Sequence, residues 1–98
     1  MNKKMWLSCQ VSPGQFSGEL SVKGDTFDSE GFSLFSQREF VVYAEGEAPP
    51  VNGWIEVAVL DTRDGLALVK LPGQTLENGT TITVSESELS TTASQQEA

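Results

Sequence analysis

Two short segments group acidic side chains closely enough to suggest chemistry. Asp25, Asp28 and Glu30 occupy one glycine-bounded loop, and carboxylate oxygens are ligands that Ca²⁺ takes in proteins. Their spacing lacks the alternating acidic positions and the final bidentate glutamate of an EF-hand loop. We therefore interpret this segment as a solvated loop and predict no metal site.

The second acidic group surrounds a tight turn. Asp61, Arg63 and Asp64 lie at the Asp64–Gly65 dipeptide, and glycine there accepts the positive φ that tight hairpin turns require. Opposite charges at such a tip form weak surface pairs that keep the turn solvated. The functional alternative is that this tip contacts a partner.

The chain holds few residues for nucleophilic or metal catalysis. It contains no histidine and one cysteine, so neither a Ser-His-Asp nor a Cys-His arrangement can form within it. Cys9 lies in an alternating apolar run, which predicts a buried thiol. No glycine-rich phosphate-binding motif is present, and a small barrel has little room for a glycosidase cleft. We predict a protein that is not an enzyme, with no catalytic residue, cofactor or metal.

The tryptophans are the most informative aromatic residues. Trp6 and Trp54 each lie near the start of a predicted strand, on the face opposite its main apolar set. This alternation predicts partly exposed rings, and packing at the barrel ends is the alternative. Exposed tryptophan frequently anchors protein interfaces. Phe16 and Phe27, both in predicted turns, are further partner-binding candidates.

Short alternating segments between turn residues predict the elements that position these side chains. Six strands are predicted at residues 5–11, 19–23, 32–35, 54–61, 66–71 and 80–84, with residues 41–43 as an optional further short strand. The Ser-x-x-Glu spacing at Ser36 and Ser85 predicts two one-turn helices, each closed by a capping box. The predicted fold class is all-β: a single six-stranded, antiparallel-rich barrel, SH3-like or pseudo-two-fold, with the two capped turns.

The two halves of the chain repeat one pattern. Trp54 follows Trp6 by 48 residues, and glycine, valine, lysine and Ser-x-x-Glu positions recur in the same order at spacings of 47 to 49. We predict one barrel domain over residues 1–89, built from related halves at about 5–43 and 53–89, with a disordered tail at 90–98. The alternative is that hairpins and capped turns look alike for local physical reasons.

The second half resembles the end of an SH3-like barrel. A hairpin of apolar strands at residues 54–71, a strand at 80–84 and a one-turn helix with an apolar plug at 85–89 match that fold. The resemblance is to a fold and implies a binding module. Peptide-binding SH3 grooves need a cluster of tyrosine and tryptophan residues, and this sequence does not show such a cluster in a recognisable order.

Net charge narrows the choice of partner. A formal charge of −8 repels phosphate backbones and anionic lipids, so we predict neither direct nucleic-acid binding nor membrane binding. The single cysteine fits a reducing compartment, and the apolar stretch after Lys3 and Lys4 is too short for a signal peptide. We therefore expect a cytoplasmic protein in a bacterial or phage-like setting.

Three classes of function remain. The first is a protein–protein interaction module whose partner is another protein, with a basic partner favoured by charge. The second is an acidic, phage-like decoy that occupies the basic groove of a nucleic-acid-binding protein. The third is a barrel that binds a small molecule or an ion, with the loop of Asp25, Asp28 and Glu30 as its candidate site. Homo-oligomers are compatible with all three.

Overall fold

Antiparallel strands make up almost all of the regular structure. The computed structural model describes residues 3–44, 46, 48–76 and 79–93, and its strands form one antiparallel sheet curled into a half-barrel. In chain order they are β1 (Lys3–Pro13), β2 (Glu19–Gly24), β3 (Phe32–Gln37), β4 (Val41–Tyr43), β5 (Val51–Arg63), β6 (Leu66–Lys70), β7 (Thr81–Ser85) and β8 (Leu89–Ser90). The 3₁₀ turns Arg38–Phe40 and Glu86–Glu88 precede β4 and β8. The predicted all-β class with two one-turn helices is confirmed.

The long strands β1 and β5 form the centre of the sheet. The strand order is β3-β2-β1-β5-β6-β7, while β4 pairs with β5 and β8 pairs with β1. Each half of the chain therefore contributes three consecutive strands and one short strand. That short strand pairs with the first strand of the other half, so the order reads alike from either edge.

Backbone register extends this correspondence to single residues. Val11 pairs with Val22 in the first half, and Val59 pairs with Val69 in the second. Immediately after Val59 the register of β5 against β6 shifts by one residue, at Leu60. Such a β-bulge inserts one residue into one strand. The β5–β6 turn is nevertheless shorter than the β1–β2 turn, so the spacing between the halves falls by one residue from Val11 and Val59 to Val22 and Val69. Common descent of the halves stays a prediction, because shared topology can arise without it.

The inner face of the sheet carries the hydrophobic core. Alternate residues of each strand point to this face because side chains in a strand alternate sides. Both halves contribute, and the largest fully buried side chains are Leu7, Val11, Val22, Leu34, Ile55, Val69 and Val84. Partly buried side chains, including Phe40 and Leu89 beside the two 3₁₀ turns, pack against this core.

The two predicted capping boxes are wrong. Neither 3₁₀ turn has a side-chain hydrogen bond at its N-terminus. Strand β3 continues through Gln37, so Ser36 is buried one residue too early to cap, and its hydroxyl donates to the Gln37 carbonyl. In the second turn the carboxylate of Glu88 accepts a hydrogen bond from the Ser8 hydroxyl on β1 instead. The Ser36 hydroxyl therefore bonds within its own strand, and Glu88 forms a long-range contact in place of the local one.

One predicted hairpin turn has the expected backbone. Asp64 and Gly65 have φ values of 56° and 81° and join β5 to β6. Two successive left-handed residues are typical of a type I′ turn, whose twist matches that of the flanking strands. The tip of this hairpin is exposed.

Other predicted turns and the tail fall partly beyond the described residues. Asn78, the first residue of a predicted turn, lies outside them, as do Glu45 and Glu47 of the connector. Strand β8 includes Ser90, the first residue of the predicted tail, and residues 94–98 are not described. No helix in the described part of the chain is long and apolar enough to cross a membrane.

Candidate functional site

Both tryptophans lie on the outer face of the central strands. Trp6 of β1 pairs with Glu56 of β5, and Trp54 of β5 pairs with Ser8 of β1. Directly paired residues project to the same side of a sheet, and the intervening Leu7 points into the core. The two rings therefore flank the centre of the β1–β5 ladder along a diagonal. The sequence alternation predicts the outer face for each ring.

The two shortest strands widen this surface. Trp6 also pairs with Ser90 of β8, and Trp54 pairs with Val42 of β4. We call the resulting patch the tryptophan face. Its members are all half-buried, and they are Trp6, Ser8, Val42, Trp54, Glu56 and Ser90. Half-burial means that each ring is held by its neighbours while part of it remains open to contact.

A lysine of the chain covers one of the two rings. The ammonium nitrogen of Lys4 lies 5.6 Å from the centroid of Trp6. The same nitrogen lies 3.8 Å from Oε1 of Glu56. This distance to the ring is within the range of a cation–π contact, and the carboxylate adds a partly exposed ion pair. The surface around Trp6 thus holds a cation between an indole and a carboxylate.

A surface cavity of about 500 Å³ lies beside the other ring. The residues that give it chemical character come from both halves, and they are Ser8, Lys23, Asp25, Asn52, Trp54 and Glu88. The hydrogen bond from the Ser8 hydroxyl to Glu88 ties the second 3₁₀ turn to β1 and positions that carboxylate at the cavity. The cavity therefore combines an aromatic wall with two carboxylates and polar side chains.

Cys9 also lines this cavity, but its side chain belongs to the buried core. Burial raises the pKa of the Cys9 thiol from 9.0 to about 12, because a thiolate is poorly solvated there. The predicted buried thiol is confirmed. A thiol with this pKa remains protonated near neutral pH and is a poor nucleophile.

A smaller cavity of about 300 Å³ lies at the corresponding position beside Lys4. Its main lining residues are Lys4, Phe40, Glu56, Lys70, Leu71 and Pro72. Lys70 pairs with Ala58 of β5 as Lys23 pairs with Gln10 of β1, which establishes the correspondence. The two cavities share a position and differ in polarity.

The acidic loop before β3 uses one carboxylate for its own structure. Asp28 accepts hydrogen bonds from the Thr26 hydroxyl and from the backbone N–H of Glu30. These hydrogen bonds lower the pKa of the exposed Asp28 carboxyl below its usual value of 3.8. The bond from Thr26 has the largest effect, and the bond from Glu30 has the next largest. Among the described residues, no group of three or more His, Cys, Asp or Glu side chains is placed to hold a metal ion.

The charged hairpin tip is placed apart from the tryptophan face. Asp61, Arg63 and Asp64 are all exposed around the β5–β6 turn. The Asp61 carboxylate accepts from the backbone N–H of Thr62. Within the described residues none of the three forms an ion pair, so the weak surface pairs expected from sequence are not formed there.

The two phenylalanine candidates lie in different loops. Phe16 is 71% exposed in the β1–β2 turn, and Phe27 is 52% exposed in the β2–β3 loop. The backbone N–H of Phe27 donates to the Thr83 carbonyl on β7 over 2.9 Å, which fixes this loop against an edge strand. The two rings line separate surface depressions, so the structure does not gather all the sequence candidates into one site.

Sequence reasoning missed most residues of the site, including Lys4, Asn52 and Glu88. Lys4 and Asn52 each precede a tryptophan by two residues, so alternation places them on the same face and is the signal that could have revealed them. Glu88 carried no such signal, because its partner Ser8 is 80 residues away in the chain.

Comparison with known proteins adds no relative for this site. No protein-family model, no curated protein and no solved structure matches the chain. The candidate site therefore rests on the geometry of the tryptophan face and of the cavity beside Trp54.

Proposed function

We propose that this chain is a non-enzymatic protein-interaction module whose contact surface is the tryptophan face. The observation that carries this proposal is the position of Trp6 and Trp54, half-buried on the outer face of the two longest strands. Tryptophan buries a large area with few rotatable bonds, so it loses little entropy on binding and is enriched at interface hot spots. Rigid central strands hold both rings in place before a partner arrives.

Charge supports a basic protein as the partner. The chain carries a formal charge of −8, which raises the association rate of a basic protein through long-range attraction. We further propose that the sheet is an SH3-like or related barrel built from two duplicated halves, acting in the cytoplasm of a bacterial or phage-infected cell. An SH3-like barrel would suit a binding role, because such barrels commonly present ligand surfaces on a small rigid scaffold.

Affinity capture with matched variants tests the contact surface. The double variant Trp6→Thr/Trp54→Thr removes both rings while keeping residues that favour strands. The control Phe16→Thr/Phe27→Thr removes two exposed rings outside the tryptophan face. We expect a stoichiometric partner of the unaltered protein to be lost with the first variant and retained with the second. Retention with the first variant, after circular dichroism shows that it is folded, would exclude the tryptophan face.

The decoy function is the second candidate, and the charge of −8 is the observation in its favour. A decoy held mainly by exposed charges dissociates as salt shortens the Debye length. A complex anchored by buried tryptophan rings loses much less affinity. If a basic nucleic-acid-binding partner is eluted at moderate salt, both from the unaltered protein and from the tryptophan variant, that result would favour the decoy over the interaction module.

A further inference from the structure

The cavity beside Trp54 has a lining suited to a positively charged side chain. It places the indole of Trp54 together with the carboxylates of Asp25 and Glu88. Its volume of about 500 Å³ falls within the usual size of ligand pockets, about 300–1,000 Å³. The negative face of an indole attracts a cation, and carboxylates form charge-assisted hydrogen bonds with it.

The surroundings of Trp6 show how this scaffold holds a cation. There, Lys4 lies 5.6 Å from the Trp6 ring centroid and 3.8 Å from Glu56. The residue two places before Trp54 is the neutral Asn52, at the position that Lys4 has before Trp6. The cavity beside Trp54 also combines an indole with carboxylates, but these come from Asp25 and Glu88, while Ser8 has the position that Glu56 has beside Trp6.

The corresponding cavity beside Lys4 has a different lining. Leu71 follows Lys70 there, whereas Gly24 follows Lys23 beside Trp54. The last residue of the first 3₁₀ turn is an aromatic, and the last residue of the second is Glu88. Compared with the cavity beside Lys4, the cavity beside Trp54 therefore has less apolar bulk, more space and more negative charge. Such a change favours a polar, cationic occupant over an apolar one.

We propose that the cavity beside Trp54 binds an arginine side chain of a basic partner protein. This inference rests on the proposed function, since the arginine is supplied by the partner that the tryptophan face contacts. Arginine fits better than lysine because its planar guanidinium stacks on an indole and pairs with carboxylates through several N–H groups. Lys23 lines the same cavity, so its like charge opposes the arginine and limits affinity.

A peptide titration followed by NMR tests the cavity directly. The probe is a blocked tripeptide with a central arginine, and its control has citrulline, the neutral isostere, at that position. We expect the arginine probe to shift the Trp54 indole N–H and the backbone amides of Gly24 and Gly53. The citrulline probe should leave these signals nearly unchanged. Equal shifts from both probes would overturn the proposal, because they would show that charge plays no part.

Four single variants test which charges matter. Glu88→Gln should weaken the arginine probe about two- to five-fold, the range of a partly exposed ion pair. The matched control Glu86→Gln lies in the same turn but outside the lining and should leave affinity unchanged. Lys23→Gln should strengthen binding by a similar factor, while Lys70→Gln, which changes the net charge equally, should not. Equal effects within either pair would show that only net charge matters and would overturn the cavity assignment.

The outcomes separate the inference from the proposed function. If a captured partner is lost with Trp6→Thr/Trp54→Thr but the arginine probe shifts no cavity signal, the interaction module stands and the arginine site is wrong. If the probe binds in the cavity but the partner survives that double variant, the tryptophan face is wrong as the contact surface. If a lysine probe binds more tightly than the arginine probe, the choice of arginine is wrong.

Discussion

The contrast between Ile55 and Trp54, adjacent on β5, gives the sharpest prediction. Ile55 is completely buried and pairs with Leu7 of β1 on one side and Val41 of β4 on the other. Two ladders hold its backbone, so the space left by Ile55→Ala cannot collapse. Ile→Ala substitutions in cores cost about 2–5 kcal/mol, and such a rigid site belongs to the upper part of that range.

Trp54→Thr should cost much less. The Trp54 ring is half-buried on the outer face, so only part of its area leaves water on folding, and threonine favours the strand. We expect a loss of about 1–2 kcal/mol for Trp54→Thr. A loss of about 3–4 kcal/mol for Ile55→Ala would lower the melting temperature by about 15–30 °C in a domain of this size.

Urea denaturation followed by far-ultraviolet circular dichroism measures both variants without relying on tryptophan fluorescence. If Ile55→Ala fails to fold, Ile55→Val keeps the comparison measurable, with an expected cost of about 0.5–1.5 kcal/mol. A cost for Trp54→Thr equal to that of Ile55→Ala would refute the reasoning. Trp54 would then belong to the core, and the tryptophan face would lose its role as a contact surface.

Three further predictions concern close packing and protonation. Gly53→Ala should destabilise the fold by about 1–3 kcal/mol, measured by urea denaturation, because the added Cβ would lie 2.7 Å from the Val42 carbonyl oxygen. The Cys9 thiol should resist a thiol reagent near pH 8 until the protein unfolds. Its pKa is raised from 9.0 to about 12 in the fold, so its stability contribution is complete below pH 9 and is lost as pH rises from 9 toward 12. The fall should be smaller in Cys9→Ala, and an equal fall in both would contradict the assignment. The pKa of Asp28, followed by NMR, should rise in Thr26→Val, because the largest cause of its lowering is the Thr26 hydroxyl. The stabilisation linked to the lowered pKa of Asp28 is present above the unfolded-state pKa and is lost as pH falls through the folded-state value. An unchanged pKa in Thr26→Val would contradict the hydrogen-bond assignment.

Much of the strand architecture was predictable, because alternation is a local property. Every predicted strand overlaps an observed one, and the Asp64–Gly65 turn has the positive φ angles expected of it. Strand ends were less predictable. The predicted start of β5 was residue 54, whereas the strand begins at Val51, where pairing with Val11 of β1 extends it. Pairing depends on a distant strand and leaves no mark on the local pattern.

The capping boxes failed for a related reason. The spacing Ser-x-x-Glu describes a local exchange of hydrogen bonds, but Ser36 and Glu88 form other contacts in the folded chain. Ser36 was drawn into β3, and Glu88 met the Ser8 hydroxyl of β1. A local motif predicts local bonding only when no tertiary partner competes for the same atoms.

For the candidate site, the sequence by itself determined the all-β class, the buried thiol of Cys9 and the side of each strand on which Trp6 and Trp54 lie. These follow from composition and from the period of two in an extended chain. Only the tertiary structure decided that the two rings share one diagonal face, and that Asp25 and Glu88 line one cavity beside Trp54. Those juxtapositions come from antiparallel register and curling of the sheet. Both join residues far apart in the chain through contacts that no local pattern encodes.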